Sequence, residues 1–318
     1  MDGDMLDRIR DRCRTVAEQA SHVHIDHDHL VRYADTLVDG PVGADADPGR
    51  QAHGDEESTA AFVIGLDAVN FGSGWFPTLR KRDGMSGYFT IATNLRDWVS
   101  HTGPITPERL IGITAADCGA IFGQPLDEPG PAELMQLFAG ALDGLGRLVR
   151  DHGSFAALVR AADHSAARLV ELLDALPEFH DVSTYRGFDV PLYKRAQITV
   201  YDLAQAFAGE GIGRFDDLDR LTMFADNLVP HVLRVDGVLR FDDALVRRIE
   251  AGEDIPWGTE PEVEIRAVAL HAVELLGAAL ATRGTARTSG EIDTVLWNRG
   301  GGERYKAVPR HRTRCTFY

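Results

Sequence analysis

Apolar residues recur at three- and four-residue steps through much of this chain, and that period constrains its fold more than any other feature. Leu134, Leu137, Phe138, Leu142, Leu145 and Leu148 fall on one face of a helix. Leu169, Leu172, Leu173 and Leu176 repeat the pattern behind Ser165, a residue suited to capping a helix N-terminus. Val263, Ala267, Leu270, Val273 and Leu276 predict a third helix, running towards Arg283 and stopping at Gly284. Strand-like runs at 62–66 and 197–200 are short and isolated. The expected fold is therefore mostly α, with at most a small β element. The Gly-, Pro- and Asp-rich stretch 38–57 reads as a surface loop, and 123–131 and 252–261 read as further breaks. Such breaks divide helices within a single compact body, residues 1–318, more readily than they separate domains.

Charge narrows the function. The chain has 318 residues, with 49 acids against 33 Lys plus Arg, a formal net charge of −16. A protein that acidic repels duplex nucleic acid and anionic membranes unless its cations are gathered in one place. They are gathered at the C-terminus. Residues 304–318 hold Arg304, Lys306, Arg310, Arg312 and Arg314 without an acid, which leaves −21 for the remainder. That balance disfavours a polymer backbone as ligand. Three distant cysteines, Cys13, Cys118 and Cys315, make neither a disulfide framework nor a zinc ribbon. The polar N-terminus lacks a secretory pattern, and no stretch approaches the roughly 20 apolar residues of a membrane span. The expectation is a reduced, cytoplasmic protein with no membrane partner.

Several segments carry candidate chemistry, each with a plainer alternative. His22, His24, His27 and His29 offer metal-ligating nitrogens, but their spacing fits no zinc motif, and a solvated cluster is the simpler reading. In DAVNFGSGWF, Phe71, Trp75 and Phe76 sit among glycines. Such a turn walls a pocket for a flat ring or simply packs at a helix end. A Gly-Ile-Gly turn (residues 211–213) precedes Phe224, Ala225 and Asp226 and a new apolar helix near Pro230. An acid there sits in the positive field of a helix start, as catalyst or as cap. Lys194 and Arg195 in YKRAQI supply a point charge and a fork for a phosphate, or surface ion pairs. The ending HRTRCTFY finishes on apolar residues, so it is expected to dock with its arginines turned into a site. A substrate phosphate or internal acids such as Glu262 and Glu264 would then answer them.

Taken in order, VHID, DAVNF, SGY, YKRAQI, LTMFAD, EVEIR, LW and HRTRC resemble the queuosine salvage proteins over nearly the whole chain. The resemblance implies hydrolysis of queuosine 5′-phosphate, with plain queuosine as a further possible substrate, to free queuine for tRNA modification. It implies no metal and no cofactor, and a helical fold related to helix-hairpin-helix DNA glycosylases. It makes Asp226 the catalytic aspartate, with Phe224 beside the base. It further implies substrate binding by His53, Asn70, Phe71, Trp75, Lys194, Asp293, Trp297 and Asn298. Two positions depart from the family pattern: Thr294 stands for a tyrosine, and Asn298 for an aspartate. The family's NFCFW becomes NFGSGW, one residue longer.

The chemistry so implied asks for a carboxylate near the ribose, because cleaving an N-glycosidic bond builds positive charge on the sugar. Queuine lacks N7, so protonation there cannot activate it. Its ammonium suits Asp293 and the acidic surroundings, while Asn298 accepts a hydrogen bond without charge. The 5′-phosphate suits Lys194, Arg312 and Arg314, and Phe71, Trp75 or Phe224 would stack on the ring. Two rivals stand against this reading. One is a glycosylase of polymeric nucleic acid, which needs a broad basic surface. The other is a non-catalytic helical module that binds a nucleotide or a protein.

Overall fold

The computed structural model describes residues 4–38, 51 and 54–318. These residues are mostly α-helical with four short strands, as the periodicity predicts. The chain clusters into two compact units that alternate along the sequence. The first comprises 1–45, 181–194 and 219–314; the second comprises 46–180, 195–218 and 315–318.

The first unit is built on the helix Glu260–Ala281, which is buried on nearly every face. The helix Met5–Gln19 packs on it through Leu6, Ile9, Cys13 and Val16, the three- and four-residue stripe of an amphipathic helix. Two antiparallel pairs flank these helices: β1 (Val23–Ile25) with β4 (Leu239–Phe241), and β2 (Val182–Tyr185) with β3 (Phe188–Pro191). The β2–β3 hairpin turns through Arg186 and Gly187 at φ of 45° and 88°, the two positive values a two-residue type I′ turn requires. The helices Leu228–Val235 and Ser289–Gly300 pack together. Gly300 permits that approach, since a Cβ there would lie 2.7 Å from Leu228 Cδ1.

The second unit is a cluster of helices around Pro129–His152, whose inward face carries Leu134, Phe138, Leu142 and Leu145. Phe138 meets Phe71 and Phe122 edge-on, with centroids 5.0 and 5.2 Å away. Ser165 caps the helix Ala166–Leu173, accepting a hydrogen bond from the Arg168 amide. The strand-like runs at 62–66 and 197–200 both lie in helices, Glu56–Asp67 and Lys194–Ala206. Their apolar content reflects burial on several sides, which flattens the contrast between faces that helical periodicity needs. No described helix is long and apolar enough to cross a membrane.

Candidate functional site

Residues 221–227 run without regular structure into the helix Leu228–Val235, and five of them in succession, Leu221 to Ala225, are buried. A buried irregular backbone needs partners for its amides and carbonyls, and three side chains supply them. Asp293 Oδ1 accepts from the Phe224 amide (3.1 Å), and Arg266 Nε donates to the Ala225 carbonyl (2.8 Å). Asn227 Nδ2 donates to the His311 carbonyl (3.3 Å). The segment is clamped on both sides of Asp226.

Asp226 itself is half-buried. Its Oδ1 accepts from the amides of Leu228 (2.7 Å) and Val229 (3.1 Å), the first turn of the helix. Oδ2 joins no hydrogen bond among the described residues. The carboxylate is thus a cap through one oxygen and is open through the other. Helix amides at that end favour negative charge.

The C-terminal tail docks, as its apolar ending suggests. Within the first unit, Arg312 pairs in a parallel bridge with Asp254; its carbonyl accepts from the Ile255 amide (2.8 Å), and Thr313 Oγ1 donates to the Ile255 carbonyl (2.8 Å). An extended segment sends alternate side chains to opposite sides. Here His311, Thr313 and Cys315 are buried, and Arg312 and Arg314 are the exposed alternates. This register leaves the side chains of Arg312 and Arg314 open to solvent. Arg314 Nε lies 3.9 Å from Asp254, and Arg304 pairs with Asp236 at 3.1 Å. Arg310 is half-buried; burial lowers its pKa, and the negative charge of Asp226 opposes that shift.

Lys194 is the first residue of its helix and is 4% exposed; its amide donates to Asp181 Oδ2 (3.2 Å). Asp293 is also buried, Trp297 is half-buried and Asn298 is exposed, all on the helix Ser289–Gly300 that packs on the Asp226-capped helix. Phe224 is 1% exposed.

The second unit holds Asn70, Phe71 and Trp75. Asn70 Nδ2 donates to Asp67 Oδ1 (3.2 Å), and Trp75 Nε1 donates to Glu133 (2.7 Å). Phe71 and Trp75 are both buried. Arg195, paired with Lys194 in the phosphate reading, does other work. It donates to the carbonyls of Asp67 (3.0 Å), Ala68, Glu178 (2.9 Å) and Thr316 (2.7 Å). Its guanidinium lies 4.7 Å from the Phe71 ring centre and 4.5 Å from that of Phe179. Fork and ring are both spent on packing, so neither the phosphate role of Arg195 nor an open stacking face on Phe71 is found. His53 lies outside the described residues.

Ligand atoms of His22, Glu260 and Glu264 come within 4.8 Å of one another, a grouping able in principle to hold a metal ion. Each is already engaged. Glu264 accepts from the amides of Ser21, His22 and Val23 and from the Tyr185 hydroxyl (2.9 Å). Glu260 pairs with Arg186 at 3.0 Å, and His22 Nδ1 faces Asp242 Oδ2 at 2.5 Å. This is a loop clamp rather than an open coordination shell, and it also answers the question of what Glu264 partners. Glu262 accepts from the Gly258 amide (3.1 Å) and lies 3.6 Å from Arg266.

Three residues of this region escaped the candidate set. Arg310 was visible in the basic tail but is set apart only by the period of the docked segment. Arg266 sits in the EVEIR motif, where its acidic neighbours drew attention instead. Asp181 carries no local signal at all.

Sequence comparison extends these observations. The family profile described as "Queuosine salvage protein" matches residues 50–318. A queuosine 5′-phosphate N-glycosylase/hydrolase of Sphaerobacter thermophilus is 38% identical over 321 residues, covering 96% of each chain. Its counterpart of the same name in Dictyostelium discoideum is 34% identical over 264 residues, 82% of this chain and 79% of its own. That of Bos taurus is 29% identical over 337 residues, 97% and 98% of the two chains.

Proposed function

This chain belongs to the queuosine salvage protein family, and from that premise we propose that it hydrolyses the N-glycosidic bond of queuosine 5′-phosphate to queuine and ribose 5-phosphate. It is an N-glycosyl hydrolase acting on a small nucleotide, in the service of tRNA modification. The bond from C1′ to the base nitrogen breaks with its electron pair leaving on the base. A water oxygen bonds to C1′, and the proton that water loses balances the charge on the departing ring. The reaction so written needs water alone.

One observation carries the residue assignment: the half-buried Asp226 carboxylate, fixed through Oδ1 by two helix amides and open at Oδ2. A carboxylate held in that way offsets positive charge on the ribose without reorganising at the moment of reaction. Oδ2 either orients the water or bonds transiently to C1′. Lys194, Arg310, Arg312 and Arg314 are assigned to the 5′-phosphate. Asp293 lends negative potential to the ammonium of queuine, and Asn298 accepts from its hydroxyls. Trp297 and Phe224 are the aromatic residues assigned to the base, and the half-buried Trp297 has the more accessible ring.

In this reading residues 1–318 act as one catalytic domain in the cytoplasm. Kinship to helix-hairpin-helix DNA glycosylases belongs to it too, supported by the 3-10 turn Gly211–Gly213. Gly211 there has φ of 56°, and a Cβ on Gly213 would collide with Phe207. The test is incubation with queuosine 5′-phosphate and detection of free queuine, with Asp226→Ala as control. No release by the wild type refutes the reading. Tight, steeply salt-dependent binding of short oligonucleotides would favour a polymer substrate instead.

A further inference from the structure

Two deeply buried charges of the first unit have no part in the chemistry above. Arg266 and Asp181 are 0% and 1% exposed at their side chains and form a two-pronged pair, Nη1 to Oδ1 at 2.9 Å and Nη2 to Oδ2 at 2.5 Å. A buried ion pair is weak evidence for stability, because taking both charges out of water costs about as much as their attraction returns. Its place in the fold points elsewhere. The third guanidinium donor, Nε, holds the Ala225 carbonyl, one residue before Asp226. On the other side, Asp181 Oδ2 also accepts from the Lys194 amide. The Asp181 carbonyl accepts from the amides of Leu192 (2.9 Å) and Tyr193 (3.3 Å). Tyr193 has φ of 47°, a left-handed conformation that a bulky residue adopts only where its surroundings impose it.

We infer that Arg266 and Asp181 are a positioning pair, a rigid buried fork that sets the place of the Asp226 carboxylate relative to the start of the Lys194 helix. One prong side fixes the backbone that presents the reacting carboxylate; the other fixes the backbone that presents the phosphate-binding ammonium. This inference rests on the roles proposed for Asp226 and Lys194. The planar guanidinium is essential to it, since it must bond the carboxylate with two nitrogens and the carbonyl with the third. An ammonium on a flexible stem cannot do all three.

Two variants test it, compared with wild type on queuosine 5′-phosphate and on queuosine. Arg266→Lys keeps the buried charge and loses the fork. The charge-free combination of Asp181→Asn, Glu262→Gln and Arg266→Met removes the ion pair together with the acid beside it. The expected result is a folded protein whose kcat falls at least tenfold, since displacements near 1 Å cost on the order of 10²-fold. Its preference for nucleotide over nucleoside should shrink as Lys194 shifts. A merely structural pair would lower the unfolding midpoint and leave both kcat and that preference in place; this outcome overturns the inference. So does failure of both variants to fold, which would assign the pair to stability. If the wild type itself releases no queuine, it is the proposed function that fails.

Discussion

Replacing Asp226 with asparagine separates the two things its side chain does. The amide oxygen of Asp226→Asn still accepts from the Leu228 and Val229 amides, so the cap survives and only the charge at the helix start is lost. That loss costs about 0.3–1 kcal/mol of stability. Asp226→Ala removes the cap as well, for about 1 kcal/mol, which lowers Tm by about 1–2 °C in a protein of this length. Catalysis should respond differently. A full charge about 4 Å from a developing cation, at an effective dielectric constant of about 20, is worth about 4 kcal/mol. At about 1.4 kcal/mol per decade, that is a loss on the order of 10²- to 10³-fold in kcat. Both variants should show it, while their melting temperatures differ. Queuine release followed chromatographically under single-turnover conditions, beside thermal unfolding of each variant, reads the two effects separately. Activity of Asp226→Asn within about threefold of wild type would refute the reasoning, leaving Asp226 as a cap alone.

Stability should fall with acid before the carboxylates titrate. Burial lowers the pKa of His231 to about 4 and that of His311 to about 3, against 6.5 in the unfolded chain. Both contributions are complete above pH 6.5 and are lost as pH falls, that of His231 down to about 4 and that of His311 to about 3. The slope is at most about 1.4 kcal/mol per pH unit for each histidine, and urea midpoints measured from pH 7 to 4.5 check it; a flat profile would contradict it. Lys194→Ala and Arg312→Ala should raise KM for the nucleotide more than for the nucleoside, and equal losses would remove them from the phosphate site. Arg310→Ala, which removes the cation whose pKa Asp226 helps to raise, should lose more than Arg312→Ala in the same assay. Gly300→Ala places a Cβ 2.7 Å from Leu228 Cδ1 and should cost about 1–3 kcal/mol by denaturant unfolding. Leu228→Ala in the same chain should recover part of that, because the clash is with a side chain.

Much of the scaffold was legible because amphipathic helices write their faces into the sequence. The stripe on residues 134–148, the Ser165 cap and the helix ending before Gly284 all correspond to observed elements. The runs at 62–66 and 197–200 were misread because helices buried on most sides lose the alternation of polar and apolar faces. The hairpin at Arg186–Gly187 went unread because its first turn residue is an arginine in a left-handed conformation, which no composition rule singles out. The division into two interleaved units is a property of long-range contacts between segments far apart in sequence, and local punctuation carries no trace of it.

The candidate site was legible in part for a related reason. Asp226 announced itself through its position before an apolar helix, a local feature. The tail announced its docking through its apolar end, but which arginines face outward depends on the register of a bridge to Asp254 and Ile255, some 60 residues away in sequence. Burial also runs against what charge alone suggests. Lys194, Arg195, Arg266, Asp181 and Asp293 are all charged and all at most 4% exposed. Charged residues are almost never fully buried unless paired, so a sequence reader places them outside by default. Natural chains break that rule chiefly where function or a strained backbone demands it. In the first unit Arg266, Asp181, Lys194 and Asp293 gather around the stretch Phe224 to Asn227 and the strained Tyr193, whereas Glu264 clamps residues 21–23. The default failed where buried polar groups hold the backbone on either side of Asp226, an arrangement of long-range partners that no local pattern in the sequence records.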